Sequence, residues 1–292
     1  VPKALVEAGG RPLLEHSLRR FSRLGIQSLA VNAHYLSEQI QSYQRCSAIP
    51  FELFYESEIR GTGGALDFAR PFLSGDDRFC VCNADILSNV DLARWRGEFE
   101  QDDAVAALIA APARASGSIW MHAESGRFAG IHGRALAPAG QCTGADFIGM
   151  ALYRREFLDA VEPEDFSITP VWERLIRRGA NIKVYVQHDC RWFDCGAPRS
   201  LATVHFAVLD QRFAIDYADG YVHDTNRKRA YPAGCAPETL AALGEYCWTD
   251  TAEISPDADI ARSVVFRGVH ISAGRVIRDA LVTPWGSVSI EP

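Results

Sequence analysis

The sequence has no Cys-x-x-Cys pair, no run of 18 apolar residues and no excess of basic charge, and each absence closes a class of function. Without paired cysteines at zinc-ligand spacing, the eight cysteines (Cys46, Cys80, Cys82, Cys142, Cys190, Cys195, Cys235 and Cys247) read as reduced thiols, several of them acting as small apolar core groups. Reduced thiols point to a cytoplasmic protein. Lacking a long apolar run, the chain has no expected membrane span. A formal charge of −7 argues against a broad nucleic-acid or anionic-lipid footprint, so any phosphate site must be local. His-Glu-x-x-His, Gly-x-Ser-x-Gly and reactive-cysteine signatures are missing too, which removes the common metalloprotease and nucleophilic-hydrolase chemistries. No signal peptide is evident, and the abrupt start suggests that residues are missing ahead of Val1.

What is present is an alternation of helical and strand periods. Leu13, Leu14, Leu18, Phe21 and Leu24 recur at helical spacing behind Pro12, with Gly25 suited to a left-handed cap. A strand over 26–32, a helix around Leu36, Ile40 and Tyr43, a strand over 51–55 and a helix over about 64–70 follow, then an apolar strand running to Asp85 and a helix on Leu92, Trp95 and Phe99. From 105 to 131 shorter runs broken by Pro112, Gly117 and Gly126 predict an antiparallel excursion. Strands at 147–153 and 183–187 and helices at 170–178 and 201–209 complete the first domain, expected over residues 1–212. The fold class is α/β: a mainly parallel, Rossmann-like sheet with helices on both faces.

Residues 213–250, rich in Gly, Pro, Asp and Tyr and without a steady period, read as a connection. Over 251–292, Ile254, Ile260, Phe266, Ile271 and Ile277 recur about every six residues, the spacing of a short left-handed β-helix-like tail; a short antiparallel tail is the competing reading.

Two features carry chemistry. Phe79-Cys80-Val81-Cys82-Asn83-Ala84-Asp85 leads from an apolar strand to a carboxylate, and open α/β sheets bind ligands beyond the carboxyl ends of their strands. Ahead of it, Gly61-Thr62-Gly63-Gly64 opens a helix and offers backbone N–H groups to a phosphate or nucleotide. A second carboxylate, Asp194, precedes Gly196 and another helix. Magnesium is held by one or two carboxylates plus substrate phosphates, so Asp85 and Asp194 are candidate Mg²⁺ ligands; either alone reads equally as a helix cap or turn former. His34, His188 and Trp192 read as ordinary structural residues.

Several segments in order resemble the sugar-1-phosphate nucleotidyltransferases, the NDP-sugar pyrophosphorylases. Pro2-Lys3-Ala4-Leu5-Val6 with Gly10-Arg11-Pro12-Leu13-Leu14 is similar to that family's Pro-Lys segment, 56–66 to its nucleobase-side loop, Asn83-Ala84-Asp85 and Trp192-Phe193-Asp194-Cys195-Gly196 to its two metal positions, and Phe147-Ile148-Gly149-Met150 to the strand lining the sugar. The loop and tail look more like the mannose-1-phosphate guanylyltransferase-like group than the thymidylyltransferases. The resemblance implies that a sugar-1-phosphate oxygen attacks the α-phosphorus of a nucleoside triphosphate, giving an NDP-sugar and pyrophosphate. It also implies roles: Lys3 neutralises phosphate, Asp85 and Asp194 hold Mg²⁺, Gly61, Thr62, Gly63 and Gly64 meet the nucleotide, and Gly149 and Phe147 meet the sugar. The attacking phosphate is already anionic, so positioning and charge neutralisation suffice without a protein nucleophile.

The chain departs from the family in having no strand and glycine-rich phosphate loop ahead of Lys3, in Phe147 where some branches place a polar residue, and in lacking a Glu-Lys pair at 130–134. Two other functions stay open: a non-catalytic nucleotide-sugar-binding regulatory subunit, and a glycosyltransferase using an NDP-sugar. A homo-oligomer formed through the tail is expected from the exposed ends of so short a coil.

Overall fold

The computed structural model describes residues 1–135, 141–216 and 218–290. Two compact units divide the chain. One comprises Val1–Pro2 and Ser17–Trp192, the other Lys3–His16 and Phe193–Pro292. The division thus falls at residues 192 and 193, ahead of the boundary expected near residue 212.

The first unit is built on a seven-stranded sheet. The strand Cys142–Arg154 lies at its centre and pairs antiparallel with Arg78–Cys82, with Ala106–Pro112 and with Ile119–His122. Ile182–Val186 then runs parallel to Ala106–Pro112. The expectation of a mainly parallel sheet is therefore corrected to a mixed one. Five of the seven strands share a direction, but the 13-residue strand at 142–154 is inserted among them in the opposite sense. The outer strands Phe128–Ile131 and Arg134–Ala135 continue antiparallel from Ile119–His122, as the broken runs at 105–131 lead one to expect. A separate parallel pair joins Ala30–Ala33 to Glu52–Tyr55.

Alternation along Ala106–Pro112 shows why both faces carry helices. Ala106, Leu108 and Ala110 enter one apolar cluster with Leu66, Tyr153, Phe157 and Trp172, whereas Ala107, Ile109 and Ala111 enter another with Trp95, Phe99 and Tyr185. Helix Ile168–Arg177 covers the first face and helix Leu92–Gln101 the second. The latter is capped by Asp91, whose side chain accepts the Arg94 N–H at 3.0 Å. At the end of helix Leu13–Arg23, Gly25 adopts φ +74° and the Ile26 N–H returns to the Phe21 carbonyl at 3.2 Å, the expected left-handed cap.

In the second unit, the stretch read as a connection contributes strands. Tyr221–Asp224 and Arg229–Pro232 form an antiparallel pair, and Arg229–Pro232 runs parallel to Cys247–Thr249. The sheet continues through Asp259–Val265 and Val276–Thr283, again parallel, and ends in the antiparallel strand Gly286–Ser289. Cys247 lies opposite Ser263 and Ser263 opposite Ala280, while Glu253 lies opposite His270, so the chain returns on itself every 16 to 17 residues. Ile254, Ile260, Val265 and Ile271 fill the interior. Val265 takes the place expected of Phe266, because Arg262 adopts φ +47° and shifts the alternation by one residue. Tyr246 and Asp279 adopt the same left-handed conformation one turn before and one turn after.

Candidate active site

The first unit contains a cavity of about 710 Å³ at the carboxyl end of Arg78–Cys82. Val81 and Asn83 reach it from that strand, and Phe147 and Gly149 from the central strand. Register slips between Phe147 and Met150, forming a bulge with Gly149 at φ +72°. The Gly149 carbonyl accepts the Asn83 N–H at 2.9 Å, and a Cβ on Gly149 would come within 2.8 Å of Asn83 Nδ2. Glycine is required there both by conformation and by the close approach of Asn83.

The turn Arg114–Ser118 forms the opposite wall. Its backbone lies so close to the central strand that a Cβ on Gly117 would sit 2.6 Å from Ala145 N, and one on Gly144 would sit 2.2 Å from Ser116 O. Arg114 N–H donates to Asp146 Oδ2 at 3.0 Å, and the Ser118 hydroxyl accepts the Phe147 N–H at 2.8 Å. The Arg114 guanidinium stacks 4.7 Å from the Trp192 ring centroid and donates to the Trp192 carbonyl at 3.0 Å. At the back, Trp172 Nε1 donates to the Tyr153 hydroxyl at 3.2 Å, and burial pushes the Tyr153 phenol well above its ordinary pKa.

Of the residues expected to meet substrate, Thr62, Phe147 and Gly149 line this cavity together. Gly61, Gly63 and Gly64 do not. The helix starts at Gly61, three residues before its expected start, and its first turn packs on the backbone at 165–166. A Cβ on Gly61 would lie 2.0 Å from the Phe166 carbonyl oxygen, and one on Gly63 would lie 2.3 Å from that of Asp165. The Gly63 N–H donates to Phe166 O at 3.2 Å. Both oxygens of the Asp165 carboxylate accept from Arg174, at 2.7 and 3.0 Å, which fixes this support and holds the Asp165 pKa below the usual carboxylate range. These glycines are needed for helix-to-loop packing.

Asp85 stands in the turn after Arg78–Cys82, three residues beyond the strand end, and is half-buried in the unit that holds the cavity. Lys3 and Asp194 belong to the other unit. Lys3 is exposed in the short turn Lys3–Leu5, and Asp194 Oδ1 accepts the Gly196 N–H at 2.9 Å. Among the described residues no cluster of three or more His, Cys, Asp or Glu is placed to hold a metal. A two-carboxylate donor set completed by substrate phosphates is what magnesium uses, so Asp85 and Asp194 suit that ion chemically.

His34 is structural as expected, its Nδ1 bonded to the Glu56 carbonyl at 2.8 Å. Trp192 packs with the second apolar cluster. Asn83, Arg114, Ser118, His132, Asp146 and Trp172 line the cavity without having been singled out for it. Trp172 shares a helical period with buried Val171 and Leu175, and the turn 114–118 carries no motif; its Gly-flanking serines were the available signal. No described helix is long and apolar enough to cross a membrane.

A family model described as the MobA-like NTP transferase domain matches residues 1–192. N-acetylmuramate alpha-1-phosphate uridylyltransferase of Neisseria meningitidis serogroup B is 26% identical over 206 residues, covering 67% of this chain and 84% of that protein. Mannose-1-phosphate guanylyltransferase catalytic subunit beta of Danio rerio is 23% identical over 212 residues, 70% of this chain but only 58% of that one. Among solved structures, a putative glucose-1-phosphate thymidylyltransferase from Bacillus anthracis in complex with a sucrose superimposes with a TM-score of 0.59 at 16% identity, covering 73% of this chain and 88% of that chain, a likeness of fold.

Proposed function

The chain belongs to the MobA-like NTP transferase family, and from that premise we propose that it condenses a nucleoside triphosphate with a sugar-1-phosphate to give an NDP-sugar and pyrophosphate. The observation that carries this reading is the cavity at the carboxyl end of Arg78–Cys82, where Thr62, Phe147 and Gly149 face one space and from which the chain runs on to Asp85, three residues beyond the strand end. Gly149 lets the sugar lie against the backbone of the central strand, and the Asn83 amide stands beside it to hydrogen-bond a hydroxyl or phosphate oxygen. The Arg114 guanidinium, already oriented by Trp192, offers positive charge at the rim.

Asp85 and Asp194 would hold Mg²⁺, which when bound supplies charge neutralisation on both phosphate groups. Lys3, exposed and cationic, would neutralise the triphosphate or the incoming phosphate. The sugar phosphate brings its own anionic nucleophile, so the protein is asked to position and to shield rather than to abstract a proton. The named activities of relatives motivate uridine and guanosine triphosphates as the first candidates.

Pyrophosphate release from the full-length protein, screened across nucleoside triphosphates and sugar phosphates with Mg²⁺, is the test. Release that needs both substrates supports the reading. Sugar transfer from an NDP-sugar to an acceptor, without pyrophosphate, would establish a glycosyltransferase instead, and binding of an NDP-sugar with neither activity would mark a regulatory subunit.

We read the 16-to-17-residue parallel repeat of the second unit as a short β-helix-like coil, left-handed as the hexapeptide spacing suggests. Its last strand, Gly286–Ser289, is exposed along its length beside the exposed Trp285, and an exposed strand of that kind is a template for a second copy. Homo-oligomerisation through this edge should be lost in Trp285→Glu, as read by sedimentation; a monomeric parent protein would remove it. The eight free cysteines favour a reducing, cytoplasmic setting.

A further inference from the structure

The segment that leaves the Asp85 turn is tied by two side-chain amides to the stretch of chain ahead of Trp192. Asn89 follows the strand Ile86–Ser88, and its backbone N–H donates to the Arg191 carbonyl at 3.1 Å. Its side chain returns the bond: Asn89 Oδ1 accepts the Arg191 N–H at 2.7 Å, and Nδ2 donates to the Asp189 carbonyl at 3.2 Å. Donor and acceptor on one short side chain stand in here for a further residue of strand pairing. Behind it, buried Gln187 fixes the Asn89 backbone. Gln187 Nε2 donates to the Asn89 carbonyl at 3.3 Å, while its Oε1 accepts the Asp91 N–H at 2.8 Å and the Trp95 Nε1–H at 3.3 Å.

What this clasp holds reaches the cavity. Trp192 follows Arg191 directly and makes the two contacts that orient the Arg114 guanidinium, through its carbonyl at 3.0 Å and its ring at 4.7 Å. Arg114 is a long, exposed side chain, so its charge is placed only as well as Trp192 is placed. The Asn89 side chain is exposed too, and its bonds go to the backbone of the 189–191 stretch rather than into an apolar cluster.

We propose that Asn89 is a positioning residue for nucleotidyl transfer, holding Arg191 and Trp192 so that the Arg114 guanidinium stands at the rim of the cavity. The proposal rests on the reading of that cavity as the site of transfer. A misplacement of about 1 Å can cost about 100-fold in rate, so a loosened Trp192 is enough to matter.

Two measurements on the full-length protein test it. In the first, 5-fluorotryptophan labelling gives one fluorine resonance for each of the six tryptophans, with Trp192 identified by Trp192→Phe. The Trp192 signal is expected to shift in Arg114→Ala, which takes the guanidinium off the ring, and to move likewise in Asn89→Ala. An unmoved signal in Asn89→Ala overturns the proposal. In the second, pyrophosphate release is followed with Mg²⁺, uridine or guanosine triphosphate, and a sugar phosphate that the parent protein turns over. Asn89→Ala and Arg114→Ala are each expected to lower kcat/KM for the sugar phosphate about 10-fold or more. The double variant is expected to fall no more than about threefold below the less active single variant, because both changes remove one arrangement. Losses that multiply, or parent-like release by Asn89→Ala, overturn the proposal and leave nucleotidyl transfer standing. The urea midpoint of Asn89→Ala is expected to stay near that of the parent, and a midpoint that falls in step with activity overturns positioning in favour of a structural role. Should Asn89→Ala fail to fold, Asn89→Ser, which is suited to a turn but too short to bridge Arg191 and Asp189, decides by the same measurements. A parent protein that releases no pyrophosphate from any pair overturns the transfer reading, and this role in transfer with it.

Discussion

The cavity of the first unit and the interior of the second treat their polar groups in opposite ways. Around the cavity of the first, Asn83, Arg114, Ser116 and His132 are exposed side chains on a rim that apolar residues floor. The second unit instead buries ionisable groups and ties them to its own backbone. His205 is held at both ring nitrogens, Nδ1 on the Leu201 carbonyl at 2.8 Å and Nε2 against the Gly9 N–H at 3.3 Å. Arg229 is buried with its guanidinium on the Leu243 carbonyl and on Asp224, both at 2.8 Å. Buried polar groups that are hydrogen-bonded rigidify a fold, whereas polar groups left at an opening are available to a ligand. The first unit is thus arranged for binding and the second for stability.

A substitution that strikes the second unit should therefore cost stability most. Trp248 is buried and packs with His205 at 4.9 Å and with Tyr221 at 5.4 Å between ring centroids. Trp248→Ala is expected to lose about 3–5 kcal/mol in urea unfolding. A loss under 1 kcal/mol would show that this unit is not the tightly tied one. In the first unit the matching change is catalytic. Asp85→Asn removes charge at nearly constant volume and is expected to lower turnover at least about 100-fold while leaving the unfolding midpoint in place. Full activity would remove Asp85 from the chemistry.

Between those limits lies Gly63, which belongs to the first unit and to a glycine-rich motif but serves packing. Gly63→Ala places a Cβ against the Asp165 carbonyl and should destabilise by about 1–3 kcal/mol. If the variant kept its stability and lost only nucleotide affinity, the glycines would be ligand contacts after all.

That case shows where the sequence was legible. Strand and helix periods located nearly every element of the first unit, because alternation at 106–111 and helical spacing at 92–99 report burial directly. The direction of a strand is not written in its period, and so the antiparallel insertion of 142–154 was missed. Gly61 and Gly63 are equally silent, since a glycine needed for a neighbouring carbonyl and one needed for a phosphate look alike in sequence. Gly149 was singled out through the family resemblance, and the structure shows that it sits in a bulge against the Asn83 side chain. The floor of the cavity was hidden for the opposite reason: Trp172 and Tyr153 carry the periodicity of core residues and are buried as core residues are. In the second unit, Gly and Pro at 213–250 masked strands whose pairing is set by partners in the repeat beyond.

The smallest expected effect tests the buried ionisable groups of the second unit against pH. Burial, which disfavours the charged ring, lowers the His205 pKa from 6.5 to about 4, and the hydrogen bond to the Leu201 carbonyl opposes it only in part. A folded-state pKa below the unfolded value means that stability is lost as pH falls from about 6.5 toward 4. His16 and His223, also lowered by burial, act in the same direction. Glu7 does the reverse: burial first, and Asp250 beside it second, push its pKa from 4.5 to about 7, so its cost grows as pH rises from about 4.5 to 7. Between about 4.5 and 6.5 the two slopes oppose each other and flatten the profile of the parent protein. Glu7→Gln keeps the neutral form at every pH. It should match the parent at pH 4 and exceed it by about 1 kcal/mol at pH 7.5, solvent at the half-buried carboxyl screening the rest. With the opposing slope gone, the variant's stability should climb visibly from pH 4.5 to 6.5 in urea unfolding. Parallel profiles for parent and variant would mean that Glu7 ionises freely in the fold, and that the second unit holds its acids as openly as the first holds its rim.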